Sequence, residues 1–243
     1  MVRFFVSAEA LQRDIIILTG ENAAHGKVLR LRSGEEVLVC DKRGNECICT
    51  VIDVLAGEFS LSVKCRQISQ SEPRVRVSVY MAFPKGDKLE HVIQKSTELG
   101  VYEIVAFPSA RCVSRPDAKS LQKKLDRWQK IAESAAEQSG RGYVPQVAVL
   151  SSYKEALKRA LESDKAILFY ENEKANTLQN YLKSDEYKTV SIITGPEGGL
   201  EPAEVQQAID VGVTVCTLGK RILRCETAPL CALSAIMYDA GEF

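Results

Sequence analysis

The order of apolar and polar residues divides the chain into two parts with different secondary structure. Up to about residue 70, short apolar runs alternate with turn-forming residues such as Ser33-Gly34 and Arg43-Gly44-Asn45, a pattern typical of β-strands. The predicted strands cover residues 14–18, 36–40, 47–52 and 59–63, and a short helix covers about 21–28. Strands spaced this closely predict a small β-barrel.

From Val75 onward, strands alternate with helices. The predicted strands are 75–83, 101–107, 166–169, 190–194 and 213–218, and the predicted helices are 87–99, 118–139, 202–211 and 228–238. This alternation predicts an α/β fold with a mostly parallel sheet. The polar segment 69–73 ends in a proline, so we place a domain boundary there, with domains at residues 1–72 and 73–243.

Two glycine-rich segments follow predicted strands near the C-terminus. The first is Gly195-Pro196-Glu197-Gly198-Gly199, and the second runs over residues 218–228. Because ligands of open α/β sheets bind at the carboxyl ends of strands, the two segments together predict a ligand site. The first segment lacks the lysine and hydroxyl of a phosphate-binding loop, and Glu197 would repel phosphate. It therefore favours a ligand with hydroxyl, amine or cationic groups, and a solvent-facing turn is the alternative.

The second segment supplies charged side chains. Arg221 and Arg224 are three residues apart, so a helical or tightly turned backbone would place them on neighbouring faces. Thr227 is a candidate N-cap for the last helix, with Pro229 in the first turn. The alternative is a local ion pair between Arg224 and Glu226, which would leave Arg221 merely exposed.

Composition adds little to this picture. The hydrophobic content of 45%, the charged content of 26% and the formal net charge of zero are ordinary for a globular protein, and they neither favour nor exclude a nucleic-acid partner. No apolar stretch approaches the roughly 20 residues of a membrane helix, and the N-terminus lacks a signal-peptide pattern. We therefore expect a cytoplasmic location and no membrane contact. The eight cysteines are scattered and the two histidines show no metal-ligand spacing, so we expect no metal.

The two glycine-rich segments also carry a family resemblance. Gly195-Pro196-Glu197-Gly198-Gly199, followed by Arg221, Arg224 and Glu226 within residues 218–228, resembles the SPOUT-class methyltransferases, which use S-adenosylmethionine. Within that class the chain is similar to the ribosomal small-subunit (16S) rRNA (uracil-N3) methyltransferase family. The resemblance covers almost the whole chain, and it includes residues 25–34, 85–100, 111 and 128–141.

The resemblance implies a fold and an assembly that periodicity alone does not predict. It implies an N-terminal PUA-like β-barrel that binds RNA, and a C-terminal SPOUT methyltransferase domain whose last segment threads a trefoil knot. It also implies a homodimer with each pocket near the subunit interface. S-adenosylmethionine is the implied cofactor, and 16S rRNA or the small ribosomal subunit is the implied partner.

The resemblance further assigns residues to the cofactor pocket, which three loops would form. The implied cofactor contacts are Glu171, Thr194, Gly195, Pro196, Glu197, Gly199, Leu218, Gly219, Ile222, Leu223, Thr227 and Ala228. The basic side chains expected to contact RNA phosphates are His25, Lys27, Arg30, Arg32, Arg111 and Arg115.

The implied reaction is methylation of N3 of a specific uridine in 16S rRNA. That nitrogen must lose a proton, and negative charge then spreads onto the flanking carbonyl oxygens. Arg224 and Arg221 are the candidates to stabilise this charge. Glu226 or Glu197 could accept the proton if its pKa is raised. Two alternatives are a SPOUT methyltransferase that acts on another RNA atom, such as a ribose 2′-hydroxyl, and a non-catalytic RNA-binding ribosome-assembly factor.

Overall fold

The structure, a computed structural model, describes residues 1–55, 57–113, 118–183 and 186–243. The chain divides into two compact units. The N-terminal unit combines Met1–Glu72 with Ala136–Val144, and the C-terminal unit combines Pro73–Ala135 with Pro145–Phe243. Each unit is therefore built from two separate stretches of sequence.

In its described residues, the N-terminal unit contains a five-stranded sheet and two short helices. Its elements are β1 (Val2–Phe5), α1 (Ala8–Leu11), β2 (Ile15–Leu18), α2 (Gly20–Val28), β3 (Glu36–Cys40), β4 (Asn45–Leu55) and β5 (Glu58–Ile68). The strand order is β1-β3-β4-β5-β2, with β1 parallel to β3 and the other neighbours antiparallel. The four strands and the helix that the sequence predicts in this region are confirmed, whereas β1 and α1 were not predicted.

Side chains that alternate between the two faces of the strands build the core of this unit. On β2, Ile16 and Leu18 are fully buried while Ile15 and Ile17 are about half exposed, so one face of the strand packs inward. Strands β4 and β5 extend beyond their predicted ends, because their pairing continues through two register shifts. Such bulges interrupt the apolar alternation on which the prediction of strand length depended.

Residues 136–144 are held in the N-terminal unit by the carboxylate of Glu72. The guanidinium of Arg141 donates to Oε2 of Glu72 from Nη2 at 2.7 Å and from Nε at 3.2 Å. The backbone N–H groups of Gly142 and Tyr143 donate to Oε1 at 2.9 and 3.1 Å. Glu72 thus satisfies a buried arginine and two backbone donors, and this contact was not foreseen from sequence.

The C-terminal unit contains a six-stranded sheet flanked by helices. Its elements are β6 (Arg76–Ala82), α3 (Lys88–Glu98), β7 (Glu103–Phe107), α4 (Ala118–Gln138), β8 (Gln146–Val149), α5 (Tyr153–Ala160), β9 (Lys165–Phe169), α6 (Leu178–Leu182), β10 (Thr189–Thr194), α7 (Pro202–Asp210), β11 (Thr214–Cys216) and α8 (Thr227–Asp239). The last residues of α4 belong to the N-terminal unit. All neighbouring strands are parallel, in the order β11-β9-β10-β6-β7-β8. The predicted α/β fold with a parallel sheet is confirmed.

The central strands of this sheet are buried on both faces. Every residue of β7 and β9 is buried, which is why these strands are nearly continuous apolar runs rather than alternating ones. Strand β8 and helices α5 and α6 were not predicted from the sequence. Helix α5 nevertheless carries a readable signal, because Ser152 caps its first turn through the N–H of Glu155 and its buried residues have helical spacing.

The described part of the chain holds no helix long and apolar enough to cross a membrane. Among the same residues, no three histidine, cysteine, aspartate or glutamate side chains are grouped so that they could hold a metal ion.

Candidate functional site

Loops from four adjacent strands meet at the carboxyl edge of the C-terminal sheet. Strands β11, β9, β10 and β6 are neighbours and parallel, so the segments that follow them leave the sheet on the same side. With the start of α8, these segments line a cavity of about 510 Å³, a size typical of small-molecule sites. The lining comprises Lys88 after β6, residues 169–171 at the end of β9, residues 194–200 after β10, residues 217–225 after β11, and Ala228.

The loop after β10 requires glycine at two positions. Gly199 has a φ of +67°, in the left-handed region, and a Cβ there would lie 2.6 Å from Oε1 of Glu171. A Cβ on Gly195 would lie 3.0 Å from the carbonyl carbon of Gly199. The loop is therefore folded tightly on itself and against Glu171, so that backbone forms this part of the cavity wall.

The loop after β11 leads directly into α8. The N–H of Gly219, which has a φ of +106°, donates to Oγ1 of Thr217 at 3.1 Å. At the other end, the carbonyl of Arg224 accepts from the N–H groups of Thr227 and Ala228 at 2.9 and 3.0 Å. Thr227 is the first residue of α8, so the prediction that it is the N-cap is wrong; Glu226 precedes the helix and makes no side-chain cap bond.

An ion cluster centred on Lys88 joins the loop after β10 to the start of α8. The Nζ of Lys88, the first residue of α3, lies 3.0 Å from Oε1 of Glu197 and 3.2 Å from Oε2 of Glu226. The backbone N–H of Lys85 also donates to Oε1 of Glu197 at 2.9 Å. The Sγ of Cys225 donates to Oε2 of Glu226 at 3.3 Å. The carboxylate of Glu226 thus pairs with Lys88, and not with Arg224 as the alternative sequence interpretation supposed.

The electrostatics of this cluster favour charged forms. Partial burial acts to raise the pKa of Glu197, but hydrogen bonds from the backbone of Lys85 and from Lys88 hold that pKa below its usual value. The backbone N–H of Glu226 itself, with Cys225 and Lys88, lowers the pKa of Glu226. The bond to Glu197 raises the pKa of Lys88. A proton acceptor with a raised pKa was expected at Glu197 or Glu226, and the lowered pKa values do not meet that condition.

The chain matches known protein families over most of its length. The family model described as RNA methyltransferase domain matches residues 70–237, and the one described as RNA methyltransferase PUA domain matches residues 18–62. The ribosomal RNA small subunit methyltransferase E of Bacillus subtilis is 37% identical over 248 residues, which cover 98% of this chain and 97% of that protein. The chain belongs to the ribosomal RNA small subunit methyltransferase E family. The resemblance predicted from the motifs is confirmed.

Other members of the ribosomal RNA small subunit methyltransferase E family match equally fully. The protein of this name from Mesomycoplasma hyopneumoniae is 34% identical, and the alignment covers 98% of this chain and 100% of the relative. The crystal structure of the Neisseria gonorrhoeae protein bound to S-adenosyl methionine is 31% identical, with a TM-score of 0.87 and coverage of 98% of this chain and 97% of that one. The likeness therefore extends over both units.

Most residues that the sequence assigned to the site of this family member lie together. The cavity lining includes these of the expected cofactor contacts: Glu171, Thr194, Gly195, Pro196, Glu197, Gly199, Leu218, Gly219, Ile222, Leu223 and Ala228. Arg221 and Arg224 also line it, and both side chains are exposed. Thr227 and Glu226 are absent from the lining, although Glu226 reaches the cluster through Lys88.

Arg111 has a structural contact beside its predicted RNA role. Its Nη1 donates to the carbonyl of Gly198 at 2.9 Å, and its Nε lies 3.9 Å from Oε1 of Glu201. These bonds hold the loop after β10 from outside the cavity. Arg115 lies outside the described residues.

The other basic residues expected to bind RNA lie on and after α2 in the N-terminal unit. His25 is half-buried, with Nδ1 2.8 Å from Oε1 of Glu137 and its ring edge-on to Phe4. Lys27, Arg30 and Arg32 are exposed. Three of the four side chains are thus open to solvent on one segment, and His25 is engaged within its unit.

Among the lining residues without a predicted role, Lys88 is the one on which the ion cluster is centred. It stands within the motif Lys85-Gly86-Asp87-Lys88, which contributed to the family resemblance but received no role. The available signal was topological: the motif follows a predicted strand, as both glycine-rich loops do, and parallel strands bring such loops to one edge. Its partners could not be identified, because Lys88 and Cys225, for example, are 137 residues apart.

Proposed function

We propose that this protein transfers a methyl group from S-adenosylmethionine to N3 of a specific uridine in 16S rRNA. The observation that carries the proposal is the cavity at the carboxyl ends of β9, β10 and β11, where two glycine-rich loops and two arginines lie together. Membership of the ribosomal RNA small subunit methyltransferase E family supports the RNA substrate, and the Neisseria gonorrhoeae relative, crystallised with S-adenosyl methionine, supports the cofactor.

The residues of the cavity fit S-adenosylmethionine. Backbone at Gly195 and Gly199 forms a wall that a side chain would fill, and the volume of about 510 Å³ is sufficient for a ligand of this size. The carboxylate of Glu171 also lines the cavity, and it suits the hydroxyl and cationic groups of the cofactor. When bound, the cofactor supplies a methyl group on a positively charged sulfur, which is an electrophile.

Arg224 and Arg221 provide the charge stabilisation that the reaction needs. Loss of the N3 proton places negative charge on the two carbonyl oxygens of uracil, and a preorganised cation near them lowers the barrier. Guanidinium groups stay protonated at all accessible pH values, so both arginines act as electrostatic partners and not as bases. Glu197 and Glu226 hold Lys88 and, with lowered pKa values, are weak proton acceptors. Because N3 is on the pairing edge, the uridine binds unpaired or flipped out.

The homodimer forms part of the same proposal, and one face of α8 supports it. Cys231, Ala235 and Tyr238 follow each other at helical spacing and are exposed, with Tyr238 at 75%. An exposed face of small and apolar residues on a helix that adjoins the cavity is suited to a second copy of the chain. Light scattering should give twice the chain mass of 26.8 kDa. A monomer at micromolar concentration would contradict this assembly.

The domain boundary at residue 72, the PUA-like barrel as an RNA-binding module, the trefoil knot and the cytoplasmic location remain predictions. For RNA contacts, exposed Arg30 and Arg32 are the residues to substitute. Arg30→Ala/Arg32→Ala should weaken RNA binding and reduce its salt dependence without affecting cofactor binding, because phosphate contacts release counterions. Unchanged RNA affinity would place the contact elsewhere.

The decisive experiment is methylation of small ribosomal subunits or 16S rRNA that lack the modification. Labelled S-adenosylmethionine provides the methyl group, and nucleoside mass spectrometry of the digested RNA identifies the product. We expect a base-methylated uridine with the group on N3. A ribose-methylated nucleoside would identify a different target atom, and cofactor-independent RNA binding without transfer would indicate an assembly factor.

A further inference from the structure

Lys88 connects parts of the cavity that are far apart in sequence. Its ammonium group contacts Glu197 in the loop after β10 and Glu226 at the start of α8, at 3.0 and 3.2 Å. A third contact, at 3.8 Å, joins its Nζ to Sγ of Cys225. An ammonium group has three N–H donors, so these partners together account for the donor capacity of Lys88. Lys88 therefore holds these neighbours together at the edge of the cavity.

The cluster contains two carboxylates and one ammonium group. Both carboxylates approach the same nitrogen, so they also lie close to each other, and Lys88 is the cation between them. Without it, two like charges would face each other, and such pairs repel and raise the pKa of one member. The side chains of Lys88, Glu197 and Glu226 are between 21% and 29% exposed, so solvent screens the repulsion only in part.

Both carboxylates lie next to residues on which the proposed reaction depends. Glu197 is in the loop with Gly195 and Gly199, and Glu226 is two residues after Arg224. A shift of Glu197 would move the loop after β10, which forms part of the cavity wall. A shift of Glu226 would move the segment that carries Arg224. Uncompensated negative charge there would also oppose the negative charge that develops on uracil.

We propose that Lys88 is a positioning residue for methyl transfer: it fixes the loop after β10 against the start of α8 and neutralises the repulsion between Glu197 and Glu226. This inference rests on the proposed function for its link to catalysis. Its link to the cavity itself can be measured through cofactor binding alone.

The test uses Lys88→Met, which keeps much of the side-chain length but removes the charge. Lys95→Met is the matched control, because Lys95 is on the same helix and pairs with Glu98 at 2.7 Å outside the cavity lining. Calorimetry with S-adenosylmethionine should show a loss of affinity of about tenfold or more for Lys88→Met and no change for Lys95→Met. Thermal unfolding of both variants verifies that they are folded.

Two further variants separate charge compensation from other roles. Lys88→Met/Glu197→Gln/Glu226→Gln removes the ammonium and both carboxylates, so no unpaired charge is left, and it should recover about fivefold or more of the lost affinity. Lys88→Arg keeps the charge and should recover part of it. The cofactor affinity of Lys88→Met should also improve as the pH falls towards 5, because protonation of one carboxyl group removes the repulsion. The cofactor affinities of the wild type and of the triple variant should not change over the same pH range.

Three results would overturn the proposal. One is a cofactor affinity of Lys88→Met equal to that of Lys95→Met, another is a triple variant no better than Lys88→Met, and the third is the same flat pH profile in Lys88→Met as in the wild type. Failure of the wild-type protein to methylate RNA would instead refute the proposed function, because the affinity measurements do not depend on transfer.

Discussion

Substitution of Gly199 by alanine is the smallest change that tests whether the cofactor depends on the backbone that forms this part of the cavity wall. Gly199 has a φ of +67°, and a left-handed backbone costs a non-glycine residue about 1–2 kcal/mol. The nearest atom to the new Cβ is Oε1 of Glu171 at 2.6 Å. Because this oxygen is at the end of a flexible side chain, it can move at little cost and the backbone term dominates. Since 1.4 kcal/mol is about a factor of ten, the variant should adopt the observed loop about 5- to 30-fold less readily.

If S-adenosylmethionine binds against this loop, its Kd in Gly199→Ala should rise by about the same 5- to 30-fold, as measured by calorimetry. Gly212→Ala is the control. Gly212 has a φ of +99° with no atom within 4 Å of the Cβ position, and it is absent from the cavity lining. Gly212→Ala should lower the free energy of unfolding by about 1–2 kcal/mol. In Gly199→Ala the free loop relaxes out of the strained conformation, so the loss of stability should be smaller and the cost appears in cofactor binding. Only the change at Gly199 should alter the Kd.

A Kd for Gly199→Ala within twofold of the wild-type value, together with a free energy of unfolding equal to that of the wild type, would refute this reasoning. It would show that the cofactor does not depend on the conformation of the loop after β10. Repeating the measurement on a Glu171→Ala background removes the side chain that the new Cβ meets. A loss that persists there is due to backbone strain.

Three further predictions concern other parts of the molecule. Arg224→Ala should reduce single-turnover methylation about 100-fold or more while the Kd for the cofactor stays within twofold; near-normal turnover would contradict the charge-stabilising role. Glu72→Ala should lower the free energy of unfolding in urea by about 3 kcal/mol, because Arg141, with a side chain only 4% exposed, loses its carboxylate; a loss below about 1 kcal/mol would show that the pair is replaceable. Iodoacetamide at pH 8 should modify exposed Cys65 before Cys225, since burial raises the pKa of the Cys225 thiol to about 12; peptide mass spectrometry would reveal the opposite order.

The sequence was sufficient to predict the helices and strands that have strong periodicity or continuous apolar runs. It located β3 and all the strands that carry the cavity, because each of these is an apolar segment between clear breaks. It failed where the signal was short or competed with another. Strand β1 has only four residues and Arg3 interrupts its apolar run, whereas α5 has its apolar residues, including Ala156 and Ala160, among charged neighbours. Small side chains contribute little to a hydrophobic pattern even where they are fully buried.

Much of the candidate site was also predictable, because glycine-rich loops that directly follow strands of a parallel sheet are typical of ligand sites. The charge pairing was not. The alternative interpretation of the sequence paired Glu226 with nearby Arg224, whereas the fold brings Lys88 to it from the start of α3, the helix that follows β6. The helix start was placed one residue late for a similar reason: Thr227 is a favoured N-cap type, but Glu226 takes that position while paired with Lys88. Tertiary contacts thus overruled local preference at the positions where charges meet.

The divided make-up of the N-terminal unit affects the order in which a nascent chain can acquire its structure. Translation delivers Met1–Glu72 first, but the donors of residues 141–143 that satisfy Glu72 emerge only after β6, α3 and β7 have been synthesised. Closing so long an intervening segment is entropically costly and slows folding. The first unit can therefore be completed only after Pro73–Ala135 of the second has been synthesised, so Met1–Glu72 alone lacks the contacts that residues 136–144 supply.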